Sequence, residues 1–324
     1  MRVLAVLLAL GAGPAQAGVL KVAELGVPQI RELNKDHTAV ILPGGILEEH
    51  GPYLPSYSDG YWNERIAADV AEAIGARQGW NALVFPPIPL GTGGANEIGA
   101  KYSYPGSYTV RSSTLRAIFM DLASELGDQG FKWIFVVHGH GSPNHNQALD
   151  EAGAFFHDAY GGRMVHLMGL KEVADCCDAG RRSATRAALR EDGFTVHAGA
   201  GEHSDVMFLR PDLVPGTIKL AQTFAGSSFA DLVTKARRPD WPGYFGAPRL
   251  ASAERGRLQY EQESAFIKGF ALKVLDGYDP GAGERLADEM LKDPAIAKVI
   301  EGARAREAEQ EARQQQWLKS RGKP

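Results

Sequence analysis

Ala39-Val40-Ile41-Leu42-Pro43 is a short, wholly apolar run closed by proline and Gly44-Gly45, and Glu48-Glu49-His50 follows close behind it. A run of that length and composition, bounded by turn formers, reads as a buried strand. Working outward, the same rhythm repeats. Tyr61 to Ala76 carries apolar residues at helical spacing (Ile66, Val70, Ile74), and Ala82 to Pro86 is a second buried strand. Ser112 to Leu126 reads as a helix, with Ser112 or Ser113 as its expected cap. Trp133 to Val137 is a third apolar strand, running straight into His138-Gly139-His140-Gly141; a helix over Asn146 to Ala159 and a strand over Met164 to Met168 follow. This alternation predicts an α/β fold with a mostly parallel central sheet and helices on both faces. Ligands in such sheets bind beyond the carboxyl ends of the strands. Two polar clusters, 48–59 and 138–144, fall at such ends.

The bulk properties set limits on the rest. A chain of 324 residues with 44% apolar content can bury a full core in one large domain, with or without an appendage. Its 35 basic and 39 acidic residues lack the basic excess of a nucleic-acid binder, so no nucleic-acid partner is expected. Arg2, the apolar run Val3 to Leu10 and the small-residue site Ala15-Gln16-Ala17 make residues 1–17 a signal peptide, cleaved after Ala17, with export to the periplasm or beyond. That run is too short for a membrane span, which takes about 20 apolar residues, and no second long run follows. The main domain is expected over 18–280. Glu254 to Leu275 reads as its last helix, Pro280-Gly281 as a break, and 281–324 as a charged helical tail, solvated or frayed. Cys176 and Cys177 are adjacent. A bridge between neighbours strains the peptide bond joining them, and the pair lacks zinc-site spacing, so both are expected as small, semi-buried residues.

Three clusters carry chemistry. In extended backbone, residues two apart point the same way, so Glu48 and His50 can face one point with Glu49 turned away, and Asp59 lies nine residues on. Carboxylate and imidazole together suit zinc, manganese or iron. His140 has the same placement after a strand, and its flanking glycines let backbone approach a metal; the role of His138 is left open. His197-Ala198-Gly199-Ala200-Gly201-Glu202-His203-Ser204-Asp205 gathers two imidazoles and two carboxylates among small residues. Metal binding with acid/base chemistry would account for such a composition.

In order along the chain, these clusters resemble the creatininase (creatinine amidohydrolase) family. The carriers are Glu48-Glu49-His50-Gly51-Pro52-Tyr53-Leu54-Pro55 with Asp59, then Tyr104-Pro105-Gly106-Ser107, then His138 to Asn144, His197 to Ser204, and Gly243 to Pro248 with Ala251 to Gly256. The resemblance implies a three-layer α/β/α sandwich assembled as a homo-oligomer, usually a hexamer. It implies two divalent ions: Glu48 and His140 on one, His50 and Glu202 on the other, Asp59 bridging both. His197 becomes the proton shuttle, with Gly199 and Gly201 returning the chain sharply to Glu202, and Gly141, Ser142 and Asn144 become candidate substrate contacts. The implied activity is cleavage of a C–N bond in a small cyclic or linear amide, with metal-activated hydroxide as the nucleophile. Departures bear on the substrate. His138 stands for the family's leading Asn, Ser142 for an acidic residue of creatinine-cleaving members, and Gly193-Phe194-Thr195-Val196 replaces a stretch holding their Trp-Asp pair. The metal set is kept while the creatinine pocket is not. Two rivals are a metallopeptidase-like hydrolase of short peptides and a non-catalytic exported protein that binds a metal or small ligand.

Overall fold

Strand β2 (Thr38–Pro43) is buried along its whole length, and everything else is arranged around it. The computed structural model describes residues 18–323. Within them β1 (Gly18–Lys21), β2, β3 (Asn81–Val84), β4 (Trp133–Val137) and β5 (Arg163–His166) form one sheet in the order β1-β3-β2-β4-β5. All of its pairings are parallel, with Val40 opposite Leu83 on one side and Ile134 on the other. A parallel strand covered on both faces can afford no polar side, hence its continuous apolar run.

The side chains of β2 alternate between two cores. Ala39 and Ile41 pack with Ile66 and Val70 of helix α1 (Ser58–Gly75). Val40 and Leu42 pack with Phe119 of α2 (Ser112–Asp128) and with Leu149 and Phe156 of α3 (Pro143–Tyr160). Two further helices, α4 (Ala200–Leu209) and α5 (Ala253–Leu275), follow, and Ile267 and Phe270 of α5 join the α1 side. The result is the expected α/β/α sandwich. The short edge strand β1, which the sequence pattern did not disclose, adds to it. Among the described residues no helix is long and apolar enough to cross a membrane. Residues 1–17, read as a signal peptide, lie outside the described residues.

The C-terminal segment departs from its expectation. Residues 286–290 form α6 (Leu286–Met290) and residues 294–320 one long helix, α7 (Pro294–Ser320). The far part of α7 is solvated, where Trp317 stands 57% exposed, but in the near part Ile300 and Ala303 are buried. Arg304 donates to Asn144 Oδ1 at 3.2 Å and to Gln147 Oε1 at 2.7 Å. Glu307 accepts from Thr92 Oγ1 at 3.0 Å, from the Ser112 N–H at 2.9 Å and from Ser112 Oγ at 2.6 Å. This also corrects the expected cap of α2. Arg111 holds the N-cap position without a side-chain cap bond, and Ser112 lies inside the helix. Glu307 caps α2 from a distance, and a carboxylate suits the positive end of a helix.

Glu307→Ala leaves those donors without their acceptor. It is expected to cost about 1–3 kcal/mol and to raise amide hydrogen exchange along 294–320 more than in the sheet. Equal protection of α7 in variant and parent would count against the latch.

Candidate metal centre

The segment leaving β2 is fixed by backbone bonds before any side chain is considered. Gly44 passes so close that a Cβ there would lie 2.3 Å from the Ile88 carbonyl oxygen and 2.6 Å from the His138 ring. Farther on, the Glu48 N–H donates to the Ser56 carbonyl at 2.9 Å, and the Glu49 N–H to Ser107 Oγ at 3.1 Å. Ser107 in turn donates to Asn96 Oδ1 at 2.7 Å. Glu48 Oε2 accepts from the Ala95 N–H at 2.8 Å, which leaves Oε1 to the centre. Asp59 comes from the first turn of α1. His140 comes from the segment after β4, where Asn63 Nδ2 donates to the Gly139 carbonyl at 2.9 Å and Asn146 Nδ2 to the carbonyls of His140 and Ser142 at 3.0 and 2.9 Å.

Three imidazoles meet these carboxylates in the same way. His50 Nδ1 donates to the Glu48 carbonyl at 3.2 Å, His140 Nε2 to the Gly93 carbonyl at 2.9 Å, and His197 Nε2 to the Glu49 carbonyl at 2.6 Å. A carbonyl oxygen only accepts, so each bond fixes which nitrogen carries hydrogen and turns the other one inward. The inward nitrogens find the carboxylates. His50 Nε2 lies 3.2 Å from Asp59 Oδ1, while His140 Nδ1 lies 2.9 Å from Asp59 Oδ2 and 3.2 Å from Glu48 Oε1. His197 Nδ1 lies 3.7 Å from Glu48 Oε1.

Two trios have donor atoms all within 4.8 Å of one another: Glu48, Asp59 and His140, and Glu48, His50 and His197. His197 therefore stands among the donors themselves. Glu202 sits at the rim, its Oε2 3.8 Å from His50 Nε2 and its side chain 42% exposed, while that oxygen accepts from the Ala198 N–H at 2.6 Å. The turn between the two is made by Ala198, at φ 47, rather than by the glycines; Gly199 is extended and Gly201 lies in the first turn of α4. The Phe245 N–H donates to the His197 carbonyl at 3.0 Å and holds this turn from the Gly243–Pro248 stretch.

The electrostatics match the chemistry of a cation site. Burial alone would pull the His50 imidazolium down, but the hydrogen bond to Asp59 and the charges of Glu48, Asp59 and Glu202 win and raise it to about 10. His140 is raised for the same kind of reason. His197, where burial dominates, is pushed down to about 4. Burial lifts Glu202 to about 7 against the pull of His50. Buried carboxylates need positive charge among them. Protons on imidazole can supply it, and so can divalent ions, for which this mixed oxygen and nitrogen set is suited.

Other expectations resolve individually. Gly141 and Ser142 line a cavity of 590 Å³ that also exposes Glu48, Asp59, His140, His197 and Glu202. Asn144 does not line it; its side chain is turned to Arg304, so it is corrected from a substrate contact to an anchor of α7. His138 is buried, with Nε2 donating to the Ile88 carbonyl at 2.9 Å and Nδ1 3.1 Å from His145 Nε2; it braces the scaffold and does not reach the centre. Cys176 and Cys177 are joined by a disulfide, against the expectation of two unbridged residues. They sit between the short helices Lys171–Ala174 and Ala179–Arg182. Gln262 and Gln259 of α5 donate to their two carbonyls at 3.5 and 3.2 Å, anchoring the turn from outside. Glu49, expected to turn away, has its Oε1 3.6 Å from His197 Nε2, beside the carbonyl that orients that ring. The supporting Asn63, Ala95, Asn146 and the Gly93 carbonyl carry no spacing signal in the sequence.

A family model described as creatinine amidohydrolase matches residues 23–267. The chain belongs to the creatininase family. It is a metal-dependent amidohydrolase of that family. The creatinine amidohydrolase of Pseudomonas putida is 26% identical over 260 residues, 74% of this chain and 90% of that one. A mycofactocin precursor peptide peptidase of Mycolicibacterium smegmatis is 32% identical over 120 residues, 36% of this chain and 45% of that protein, so this chain matches less than half of its length. Among solved structures, a zinc–zinc form of a creatininase variant superposes with a TM-score of 0.59 at 22% identity, covering 79% of this chain and 98% of that one. A manganese creatininase gives 0.59 at 23%, covering 79% and 99%. At these identities the likeness speaks for the fold. Helices α6 and α7 lie beyond the residues that the family model matches.

Asn146→Ala frees the carbonyls of His140 and Ser142. Groups that orient a ligand in this way are typically worth about 10–100-fold in metal affinity. Competition against a metal indicator is expected to show a loss of that size, with zinc and with manganese; unchanged affinity would make Asn146 a packing residue only.

Proposed function

We propose that this protein is an exported hydrolase that holds two divalent ions, zinc or manganese with iron also suited, and cleaves the C–N bond of an amide. The observation that carries the reading is the common plan of His50, His140 and His197. Each donates one ring N–H to a backbone carbonyl and presents its other nitrogen to the buried carboxylates. A merely structural cluster has no need of three rings fixed alike by main-chain carbonyls with the second nitrogen of each left to the carboxylates.

In this reading Glu48 and His140 would hold one ion, His50 and Glu202 the other, and Asp59 would serve both. When bound, a pair of such ions polarises a carbonyl and brings the pKa of water near 7. The chain's own part is to orient and to move a proton. Ala95 and Ser56 fix Glu48 by its side chain and its backbone; Glu49 and Phe245 fix His197. With Nε2–H committed to the Glu49 carbonyl, Nδ1 is the one site on His197 that can take up a proton and hand it to the leaving nitrogen. The substrate carbonyl enters through the cavity, beside Gly141 and Ser142. A peptide bond is one such amide, and the peptidase named among the relatives favours short peptides as a second reading. The departures around His138, Ser142 and Val196 speak against creatinine. Family membership also carries the proposal of a homo-oligomer, a hexamer by resemblance.

His197 separates two accounts, because its Nδ1 also lies among the donors. As a proton carrier, His197→Ala is expected to keep both ions and its melting temperature while losing about 10²–10⁴ in turnover. As a ligand, it would lose an ion. Asp59→Ala is expected to lose most of both ions and Glu202→Ala one of them, by elemental analysis. Full metal in Asp59→Ala would overturn the two-ion assignment.

Export rests on the Arg2 to Ala17 segment, and the Cys176–Cys177 disulfide suits an oxidising compartment. N-terminal sequencing of native material is expected to begin at Gly18. Retention of residues 1–17 would refute it.

A further inference from the structure

The cavity over the metal centre is far larger than a single five-membered ring requires. Its 590 Å³ lies within the roughly 300–1,000 Å³ range of sites that enclose drug-sized ligands. Its composition is also uneven. The metal-centre residues occupy one part, and much of the remaining wall is apolar, including Phe194, Val196 and Phe229 from the family domain. One whole side comes from outside that domain: Leu286 and Met290 of α6, and Ile296, Val299 and Ile300 of α7. These helices are secured where they lie. Arg304 and Glu307 fasten α7 to Asn144 and to Thr92 and Ser112, on the segments that flank His140 and Gly93. Among the described residues no Lys or Arg lines the cavity, and burial pushes the carboxyls of Glu97, Asp205 and Glu263 up toward their neutral form.

We propose that α6 and α7 are a specificity wall, built onto the family domain, that selects amides carrying a bulky apolar group. The inference rests on the hydrolase reading above. Apolar surface on α6 and α7 rewards burial of an aromatic or branched group at about 25 cal/mol per Å² removed from water. A small or wholly polar group leaves that apolar surface uncovered and gains nothing from it.

The test uses the full-length, metal-loaded protein and ketones, which present a carbonyl without a cleavable C–N bond. Benzylacetone and acetone are titrated calorimetrically. Benzylacetone is expected to bind at least about tenfold more tightly than acetone. Val299→Trp fills the cavity from α7 and is expected to weaken benzylacetone at least about tenfold, since one misfitting group in an apolar pocket is worth about 10–200-fold. Met290→Trp repeats the test from α6, and melting temperatures identify a variant that has not folded. Equal binding of acetone and benzylacetone, or unchanged benzylacetone affinity in both folded variants, overturns the wall. If binding follows expectation but no phenylalkyl amide is hydrolysed, the hydrolase reading fails and the wall stands; hydrolysis indifferent to the size of the amide gives the reverse.

Discussion

Glu48, Asp59 and Glu202 bring carboxylates from three separate segments to one place, Glu48 buried and Glu202 at the rim, and like charges so close repel unless positive charge lies among them. The rest of the architecture serves that constraint. Backbone N–H groups and carbonyls take up the outer atoms of the site: Ala95 on Glu48, Gly93 on His140, Glu49 on His197. What stays unsatisfied points inward. The site is therefore held by main chain more than by side chains, and main-chain position is set by how the segments leave β2, β4 and the turn at Ala198.

This explains how the sandwich and the site came to be legible to different degrees. A strand buried on both faces must be continuously apolar, so β2, β4 and their helical neighbours announce themselves by composition alone. The donors at strand ends were legible because polar residues there have few structural reasons to cluster. The edge strand β1 was missed since four residues with alternating burial look like any exposed segment. Asn63, Asn146 and Ala95 were missed because their task is a single hydrogen bond to a backbone atom far away in sequence, which leaves no periodicity. Asn144 misled for a related reason. Its motif position placed it near the centre, but its orientation is decided by Arg304, a residue 160 positions away.

The charged tail shows the same limit from the other side. Read by composition, residues 294–320 belong in solvent, and the exposed Trp317 end agrees. Yet one face of α7 carries Glu307 and Arg304, which complete polar groups the sandwich leaves open, and a few apolar residues that close the cavity. A helix can thus be mostly polar and still be decisive at one stripe. The vicinal disulfide is comparable. The geometry that makes such bridges uncommon is local, and the glutamine anchors that support this one come from α5.

The bonds of Glu307 and Arg304 span 215, 195 and 160 positions in the chain. Contacts of such separation form late, because the intervening loop must close first. The sheet and the candidate donors up to Glu202 need nothing beyond the sandwich, whereas the cavity needs residues made after it. Without α7 the space above those donors would lie open on one side, so docking of α7 is what encloses the cleft.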